Sequence, residues 1–287
     1  MSRVGALGLL FLAAILWSAS GILVKGLQWS PVAIASARGL VAGITMSLIL
    51  PGGFRPSRLV GAQIISGFCL AILSICYVSA LKLTTAANAI VLQYSAPLWV
   101  ALLAPWILGE RTSGRDWFFI GLIFGGVGLF FMDGLSAEGF WGNILAVVSG
   151  FFFGLQALFL RRRNNYLPVG GLILGCYLTF FLGLWAWGGP WPGFSDWLLI
   201  LILGVFQMGL PYYFYGLAAP RVTSLELVLV TMLEPVLNPL WVYLIFGEEP
   251  GRMAFWGGLV VIGSVTLWSF FKKANGASAQ AWTDKKS

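Results

Sequence analysis

The sequence has no histidine and very little charge. Charged residues make up 9% of its 287 residues, whereas they are about a quarter of an ordinary globular domain. Because histidine supplies the base of serine–histidine dyads and many of the ligands of zinc, its absence argues against the common hydrolases. We therefore expect a protein that is not an enzyme, with no catalytic residues, no metal site and no cofactor.

Cysteine is also scarce, with three in the chain. Cys69 and Cys76 are seven residues apart, which places them on one face of a helix, and Cys176 stands alone. This pattern is typical of apolar packing and not of a disulfide or a metal site. Glycine, by contrast, is abundant, and pairs four residues apart such as Gly171/Gly175 and Gly121/Gly125 predict close contacts between helices.

Apolar residues are in large excess, at 59% of the chain. They form runs of about 20 residues, the length of a helix that crosses the ~30 Å hydrocarbon core of a bilayer. No connection between runs is long enough for a separate soluble domain. The sequence therefore predicts an all-α polytopic membrane protein with ten transmembrane helices. The ten runs, numbered in chain order, are 4–24, 32–50, 59–80, 86–106, 117–132, 140–160, 169–187, 197–217, 223–246 and 253–271.

The basic residues predict how the chain is oriented. We interpret run 1 as a retained helix and not a secretory signal, because it is long and leads into further runs. With both termini cytoplasmic, three basic residues (Lys25, Lys82 and Arg252) lie outside and thirteen inside, the asymmetry of the positive-inside rule. The thirteen are Arg3, Arg55, Arg58, Arg111, Arg115, Arg161, Arg162, Arg163, Arg221, Lys272, Lys273, Lys285 and Lys286.

This distribution explains the net charge of +7 without a nucleic-acid partner. We expect a monomer in the cell inner (plasma) membrane, with the lipid bilayer and a small-molecule substrate as its partners.

The chain repeats itself at an offset of 138 residues. Tyr77 matches Tyr215, Pro97 matches Pro235, and the pair Gly109-Glu110 matches Gly247-Glu248. Residues 1–137 and 138–273 each hold five runs, followed by a cytoplasmic tail at 274–287. Since five is odd, the second copy should be inverted in the membrane, a design that recurs in secondary transporters working by alternating access.

Several motifs in this order carry a family resemblance. They are Trp17-Ser18-Ala19-Ser20-Gly21 with Lys25, Arg38, Pro97 with Gly109-Glu110, Gly121 with Gly125-Gly126-Val127-Gly128, Leu233-Glu234-Pro235 with Gly247-Glu248, and Gly257-Gly258 with Gly263. Over nearly its whole length the chain resembles the drug/metabolite transporter superfamily in its EamA branch, and most of all the amino-acid exporters of the YddG type. The resemblance implies ten helices in two repeats and export of amino acids or related small metabolites. Ala96 departs from the family pattern, in which the residue before this proline is often glutamate.

Three charged residues lie within the runs, and two of them lie deep enough to bind a substrate. Glu234 is near the middle of run 9, and Arg38 is in run 2. An intramembrane charge is a functional candidate by default, although Glu234 could instead be a hydrogen-bonded packing group. Glu226, about one turn from the cytoplasmic end of run 9, could equally reach the headgroups.

Polar and aromatic residues on the same runs complete the predicted substrate site. Thr231, Glu234, Asn238 and Trp241 are spaced by three and four residues and so share one helix face. A cavity lined by these polar and aromatic residues suits a small amphipathic solute, because aromatic rings stack on apolar groups and also bind cations. The full predicted set is Trp17, Arg38, Asn88, Gln93, Ser95, Trp99, Gln156, Gln207, Tyr212, Glu234, Asn238 and Trp241.

Tyr77 and Tyr215 are related by the repeat and are predicted to lie at opposite mouths of the molecule. We interpret them as gate residues, with membrane-interface aromatics as the alternative. A channel is disfavoured, because no ring of charge or filter-like loop is visible. The alternative substrates are lipophilic cations, for a multidrug exporter, or a nucleotide sugar or sugar phosphate, which the scarcity of buried cations disfavours. Coupling to protons is left open.

Overall fold

The computed structural model describes residues 1–18, 24, 27–56, 59–130, 132, 139–161, 168–188, 191–234, 236–237 and 252–283. Within these residues the regular structure is helical. The α-helices are α1 (Arg3–Trp17), α2 (Pro31–Ile49), α3 (Gly61–Leu83), α4 (Ala86–Gln93), α5 (Ala96–Ile107), α6 (Gly114–Phe130), α7 (Phe140–Arg161), α8 (Val169–Gly183), α9 (Phe194–Ile202), α10 (Leu210–Ala218), α11 (Ser224–Thr231) and α12 (Arg252–Thr283). A π-helix, Leu203–Gly209, joins α9 to α10, and short 3-10 turns follow α8 and α10.

The helices are long and apolar, as in a multi-pass membrane protein. Six helical segments have the length and composition to cross a bilayer. They are Pro31–Ile49, Gly61–Leu83, Asn88–Ile107, Phe140–Arg161, Val169–Ala186 and Phe194–Arg221. Two shorter apolar helices, Arg3–Trp17 and Phe255–Trp268, accompany them. The helix of run 10 continues to Thr283, so most of the predicted tail extends that helix.

Runs 4, 8 and 9 are each interrupted. The sequence predicted proline kinks at the cavity wall in run 4, at Pro97, and in run 9, at Pro235 and Pro239, and a continuous helix for run 8. Pro235 and Pro239 themselves lie outside the described residues. In each, the break lies around the residue four positions before a proline: Gln93 before Pro97, Gln207 before Pro211 and Thr231 before Pro235. Proline has no N–H to donate to the carbonyl four residues earlier, and its ring crowds that carbonyl. The α-helical register is therefore lost at these points.

The 138-residue repeat has a direct local counterpart in the structure. The Thr85 side chain caps α4 by accepting from the N–H of Asn88, and the Thr223 side chain caps α11 by accepting from the N–H of Glu226. The turns that end these two helices, at residues 94–95 and 232–233, are also 138 residues apart. The two halves therefore begin and break this helix at equivalent residues.

The contacts between helices are also related by the repeat, in which each run of one half corresponds to a run of the other. The contact of α3 with α7 (runs 3 and 6) is matched by that of α10 with α1 (runs 8 and 1), and the contact of α3 with α8 by that of the π-helix with α2. The contacts of α2 with α8 and of α6 with α12 join equivalent runs of the two halves.

Glycine permits the close approach of α3 and α8. A Cβ atom on Gly175 would lie 2.7 Å from the carbonyl oxygen of Gly67, and one on Gly171 would lie 2.7 Å from the carbonyl oxygen of Gln63. Gly121 and Gly125 behave differently, since no described atom of a neighbouring helix lies within 4 Å of an added Cβ. Gly126, the adjacent residue, makes the close contact with α12 instead.

Candidate functional site

A cavity lies between the two halves, where the interrupted helices meet α1, α2 and α3. It has a volume of about 40 Å³, room for a few water molecules. Seven of the predicted residues line it: Trp17, Arg38, Tyr77, Gln93, Gln207, Tyr212 and Glu234. Leu73, Tyr94, Phe153 and Met208 line it as well. Arg38 and Glu234, whose proximity the sequence could not establish, therefore share one cavity.

Arg38 is a buried cation held by neutral groups. Its Nη1 donates to Oε1 of Gln207 and its Nη2 donates to Oγ of Ser74, each at 3.1 Å. In the described part of the chain the ion pairs are Arg3–Glu226 and Arg161–Glu110, and none involves Arg38. A buried charge is costly unless it is compensated. This guanidinium is thus placed to bind an anionic group that enters the cavity.

The π-helix brings Gln207 to Arg38. Because Pro211 cannot donate to the carbonyl of Gln207, the helix widens, and the N–H of Leu210 donates to the carbonyl of Val205 five residues earlier. Gly204 allows this wider turn to lie directly against the side chain of Val41 and the carbonyl of Arg38. A single proline in run 8 thereby sets the position of a side chain that holds Arg38.

Glu234 lies at the break in run 9 and is held by Tyr94, which lies at the break in run 4. The hydroxyl of Tyr94 donates to Oε2 of Glu234 at 2.9 Å. It also approaches the carbonyl oxygen of Thr231 at 3.4 Å. Pro235 has no N–H and cannot donate a hydrogen bond to this carbonyl. Tyr94 therefore connects the two interrupted helices at the cavity.

Aromatic rings form one wall of the site. The ring of Trp17 lies 5.0 Å from that of Tyr212 and 6.3 Å from that of Phe153, both in edge-to-face arrangements. Tyr215 is fully buried behind them, with its ring 5.6 Å from that of Trp17. Edge-to-face rings of this kind form a rigid apolar surface.

The two predicted gate residues are both buried. Tyr77 is 7% exposed and lines the cavity, and Tyr215 is 0% exposed within the aromatic wall. Neither ring lies at the outer surface of the helix bundle, where a membrane-interface aromatic would be. Their gating role stays a prediction.

Four other predicted site residues lie outside the cavity lining: Asn88, Ser95, Trp99 and Gln156. Asn88 donates to Oδ1 of Asn143 at 3.0 Å, in a junction between α4 and α7. Ser95 accepts from the indole N–H of Trp99 at 3.2 Å, and the Trp99 ring packs on Phe151.

Gln156 is fully buried in α7. No other described residue hydrogen-bonds to its side-chain amide. The two remaining members of the predicted set, Asn238 and Trp241, lie outside the described residues.

Sequence reasoning missed Tyr94 and Ser74. Ser74 is three residues before Tyr77 on α3, so helical spacing from a predicted site residue could have found it. Tyr94 stands three residues before Pro97, where the helix breaks and a side chain departs from the regular period. A rule that searches beside intramembrane prolines would have included it.

Comparison with known proteins agrees with this architecture. The model of the EamA-like transporter family matches the chain twice, over residues 4–132 and 140–270. An uncharacterized transporter of Archaeoglobus fulgidus is 26% identical over 198 residues, which cover 67% of this chain and 70% of that protein. The aromatic amino acid exporter YddG of Ancylobacter novellus is 26% identical over 205 residues, covering 66% of this chain and 69% of that protein.

A protein of known crystal structure shares the fold. It superimposes with a TM-score of 0.76 at 21% sequence identity, over 92% of this chain and 98% of that one.

Proposed function

The chain belongs to the EamA-like transporter family, and on this basis we propose that it exports amino acids, including aromatic ones, or related small metabolites. The observation that carries the proposal is that Arg38 and Glu234 line the same cavity, beside an aromatic wall. We place the protein in the inner membrane with both termini cytoplasmic, as the basic residues predict.

The two charged groups match the two ends of an amino-acid zwitterion. Arg38 can donate to a substrate carboxylate, since its two recorded partners are neutral oxygens. Glu234 can accept from the ammonium group, with Tyr94 holding the carboxylate in place. The rings of Trp17, Phe153 and Tyr212 then face the substrate side chain. The name of the Ancylobacter relative, an aromatic amino acid exporter, supports the same substrate class.

Alternating access explains how such a substrate enters and leaves. The cavity, at about 40 Å³, must open before an amino acid can bind. Because the contacts between helices are exchanged by the repeat, each half can adopt the conformation of the other. That exchange converts a cavity open on one side into a cavity open on the other.

The test is substrate exchange by purified protein in liposomes, with labelled amino acids and quaternary ammonium cations, with and without a pH gradient. We expect Arg38→Gln to reduce amino-acid exchange at least tenfold, because a charge-assisted hydrogen bond contributes about 1.5–3 kcal/mol. The matched control is Arg55→Gln, which changes an exposed arginine between α2 and α3 and should exchange normally. Full activity of folded Arg38→Gln would disprove the assignment.

Export of lipophilic cations is the second candidate function, and Glu234 beside aromatic rings favours it. Arg38 distinguishes the two candidates, because a cation gains nothing from a guanidinium. If cations are the substrates, Arg38→Gln should transport them as well as or better than the parent protein.

A further inference from the structure

The geometry points to two further residue pairs with a role in transport: Arg3 with Glu226, and Asn88 with Asn143. We propose that these pairs are alternating latches, one at each end of the molecule, and that one must open for the cavity to reach each side. The inference rests on the alternating-access part of the proposed function. It does not depend on the identity of the substrate.

The first latch joins the start of α1 to the start of α11. Arg3 forms an ion pair with Glu226, whose side chain is 2% exposed, while that of Arg3 is 32% exposed. Oε2 of Glu226 also accepts from the backbone N–H of Thr223 at 2.6 Å, which closes the cap of α11. Glu226 is therefore buried and paired, and it does not reach towards the headgroups.

Other contacts at this end hold the same helix start. Oε2 of Glu110 accepts from the backbone N–H of Ser224 at 3.1 Å and from its hydroxyl at 2.6 Å. Nε of Arg161 lies 3.6 Å from the other oxygen of Glu110. These contacts hold α1 and the loop after α5 against the start of α11. They close the end of the helix bundle at which the amino terminus lies, which we call the amino-terminal side.

The second latch joins the start of α7 to the start of α4, at the opposite end. Asn88 Nδ2 donates to Oδ1 of Asn143 at 3.0 Å and to Oγ1 of Thr84 at 3.2 Å. The hydroxyl of Thr84 donates to the same oxygen of Asn143 at 2.8 Å. All three of these side chains are uncharged, in contrast to Arg3 and Glu226.

The two latches are related by the repeat. Asn88 and Glu226 are 138 residues apart and follow the equivalent caps Thr85 and Thr223. Asn143 and Arg3 lie in the first turns of α7 and α1, which belong to equivalent runs 6 and 1. Each latch therefore ties an interrupted helix of one half to the first turn of a helix of the other. Rocking of the halves must separate one latch while the other stays closed.

The latches lie at opposite ends of the molecule, so opening each should change access to the cavity in the opposite direction. Met208 lines the cavity, so Met208→Cys reports access in a background where Cys69, Cys76 and Cys176 are alanine. The measurement is the rate of reaction with a membrane-impermeant thiol reagent, added from each side of vesicles of known orientation, without substrate.

We expect Arg3→Gln to raise access from the amino-terminal side roughly fivefold, the effect of about 1 kcal/mol on an equilibrium, and to lower access from the other side. Asn143→Ala should do the reverse. Arg3→Lys should behave as the parent, and so should Arg55→Gln, which alters an exposed arginine at the same end. High salt should increase amino-terminal access more in the parent than in Arg3→Gln, since salt screens the partly exposed Arg3–Glu226 pair in the parent and only the Arg161–Glu110 pair remains in the variant.

If either substitution impairs folding, Glu226→Gln and Asn88→Ala replace them, because glutamine can still accept from the N–H of Thr223. Changes of the same sign for both latches, or no change for either, would overturn the proposal. Because no substrate is present, the assay can succeed even if amino acids prove not to be transported, and it can fail while they are.

Discussion

Arg38 and Glu234 are held in different ways, and the difference matters for recognition. Arg38 is fixed by oxygens from α3 and the π-helix, and both are neutral. Among the described residues, Glu234 is held by the hydroxyl of Tyr94, which also approaches the carbonyl at the break in run 9. The cation is thus held between α3 and the π-helix of run 8, while the anion is tied to the interrupted helices of runs 4 and 9. A movement of either interrupted helix would move the carboxylate relative to the guanidinium.

The carboxylate and its donor should act as one unit in transport. We expect Glu234→Gln to impair amino-acid exchange in liposomes without loss of folded protein, because glutamine can still accept from Tyr94 but carries no charge. Tyr94→Phe, which removes the donor, should weaken exchange roughly tenfold, about 1.4 kcal/mol. The double variant should lose less than the sum of the two single losses, since the effects of contacting residues are not additive. Normal exchange by Glu234→Gln, or fully additive losses, would contradict this unit.

At the scale of elements, proline and glycine have opposite uses in this fold. Runs 4, 8 and 9 are interrupted before prolines, which leaves polar groups near the cavity: Gln207 lines it, and the Thr231 carbonyl is approached by Tyr94, which lines it. Glycine instead lets intact helices pack closely, as α3 and α8 do through Gly67, Gly171 and Gly175. The cavity is therefore formed by interrupted helices that pack against a tightly joined support.

This use of glycine predicts a difference in stability between two similar substitutions. Gly175→Ala places a methyl group 2.7 Å from both the Gly67 carbonyl oxygen and Cβ of Leu70, and overpacking of this kind costs about 1–3 kcal/mol. Gly121→Ala is the matched control, because no described atom of a neighbouring helix lies within 4 Å of a Cβ added at this position. We expect thermal unfolding in detergent to show a lower Tm for Gly175→Ala and an unchanged or higher Tm for Gly121→Ala. Equal Tm values for the two variants would contradict close α3–α8 packing.

At the scale of the whole molecule, the repeat relates the packing of the two halves and the latches at the two ends. The same operation that exchanges α3 and α10 exchanges the first turns of α4 and α11. If the repeats are inverted, as the odd number of runs per repeat predicts, a change that opens one end has a counterpart that opens the other. The unequal chemistry of Asn88 and Glu226 then makes the two ends respond differently to salt and to substitution.

The orientation in the membrane can be tested on the same molecule. In a cysteine-free background, Pro56→Cys lies in an exposed loop predicted to be cytoplasmic, and Trp191→Cys replaces a side chain that is 70% exposed and predicted to face outward. We expect an impermeant thiol reagent added to intact cells to label Trp191→Cys at once. Pro56→Cys should be labelled only after the membrane is permeabilised. The reversed pattern would place the amino terminus outside and exchange the sides assigned to the two latches.

Much of the fold could be predicted from the sequence, because its determinants are local. Runs of about 20 apolar residues and an offset of 138 residues are visible without coordinates, and they predicted a membrane protein made of two similar halves. Prediction was poorer within runs: intramembrane prolines predicted kinks at Pro97 and Pro235, but the π-helix before Pro211 in run 8 was not predicted. Among site residues, Arg38 and Glu234 were found because a charge in an apolar run is conspicuous. Asn88 and Trp99 were also predicted as site residues, but their side chains contact α7.

The sequence by itself determined that this protein lies in a membrane, that its chain is duplicated and which charges lie within its apolar runs, because each depends on composition and spacing along one chain. Only the tertiary structure decided that Arg38 and Glu234 line one cavity, that Tyr94 holds the carboxylate, and that Glu226 pairs with Arg3. These contacts join residues 140 or more positions apart in the cases of Tyr94 with Glu234 and Arg3 with Glu226. Such contacts arise from how the halves pack against each other, and helical period within a run carries no information about that packing.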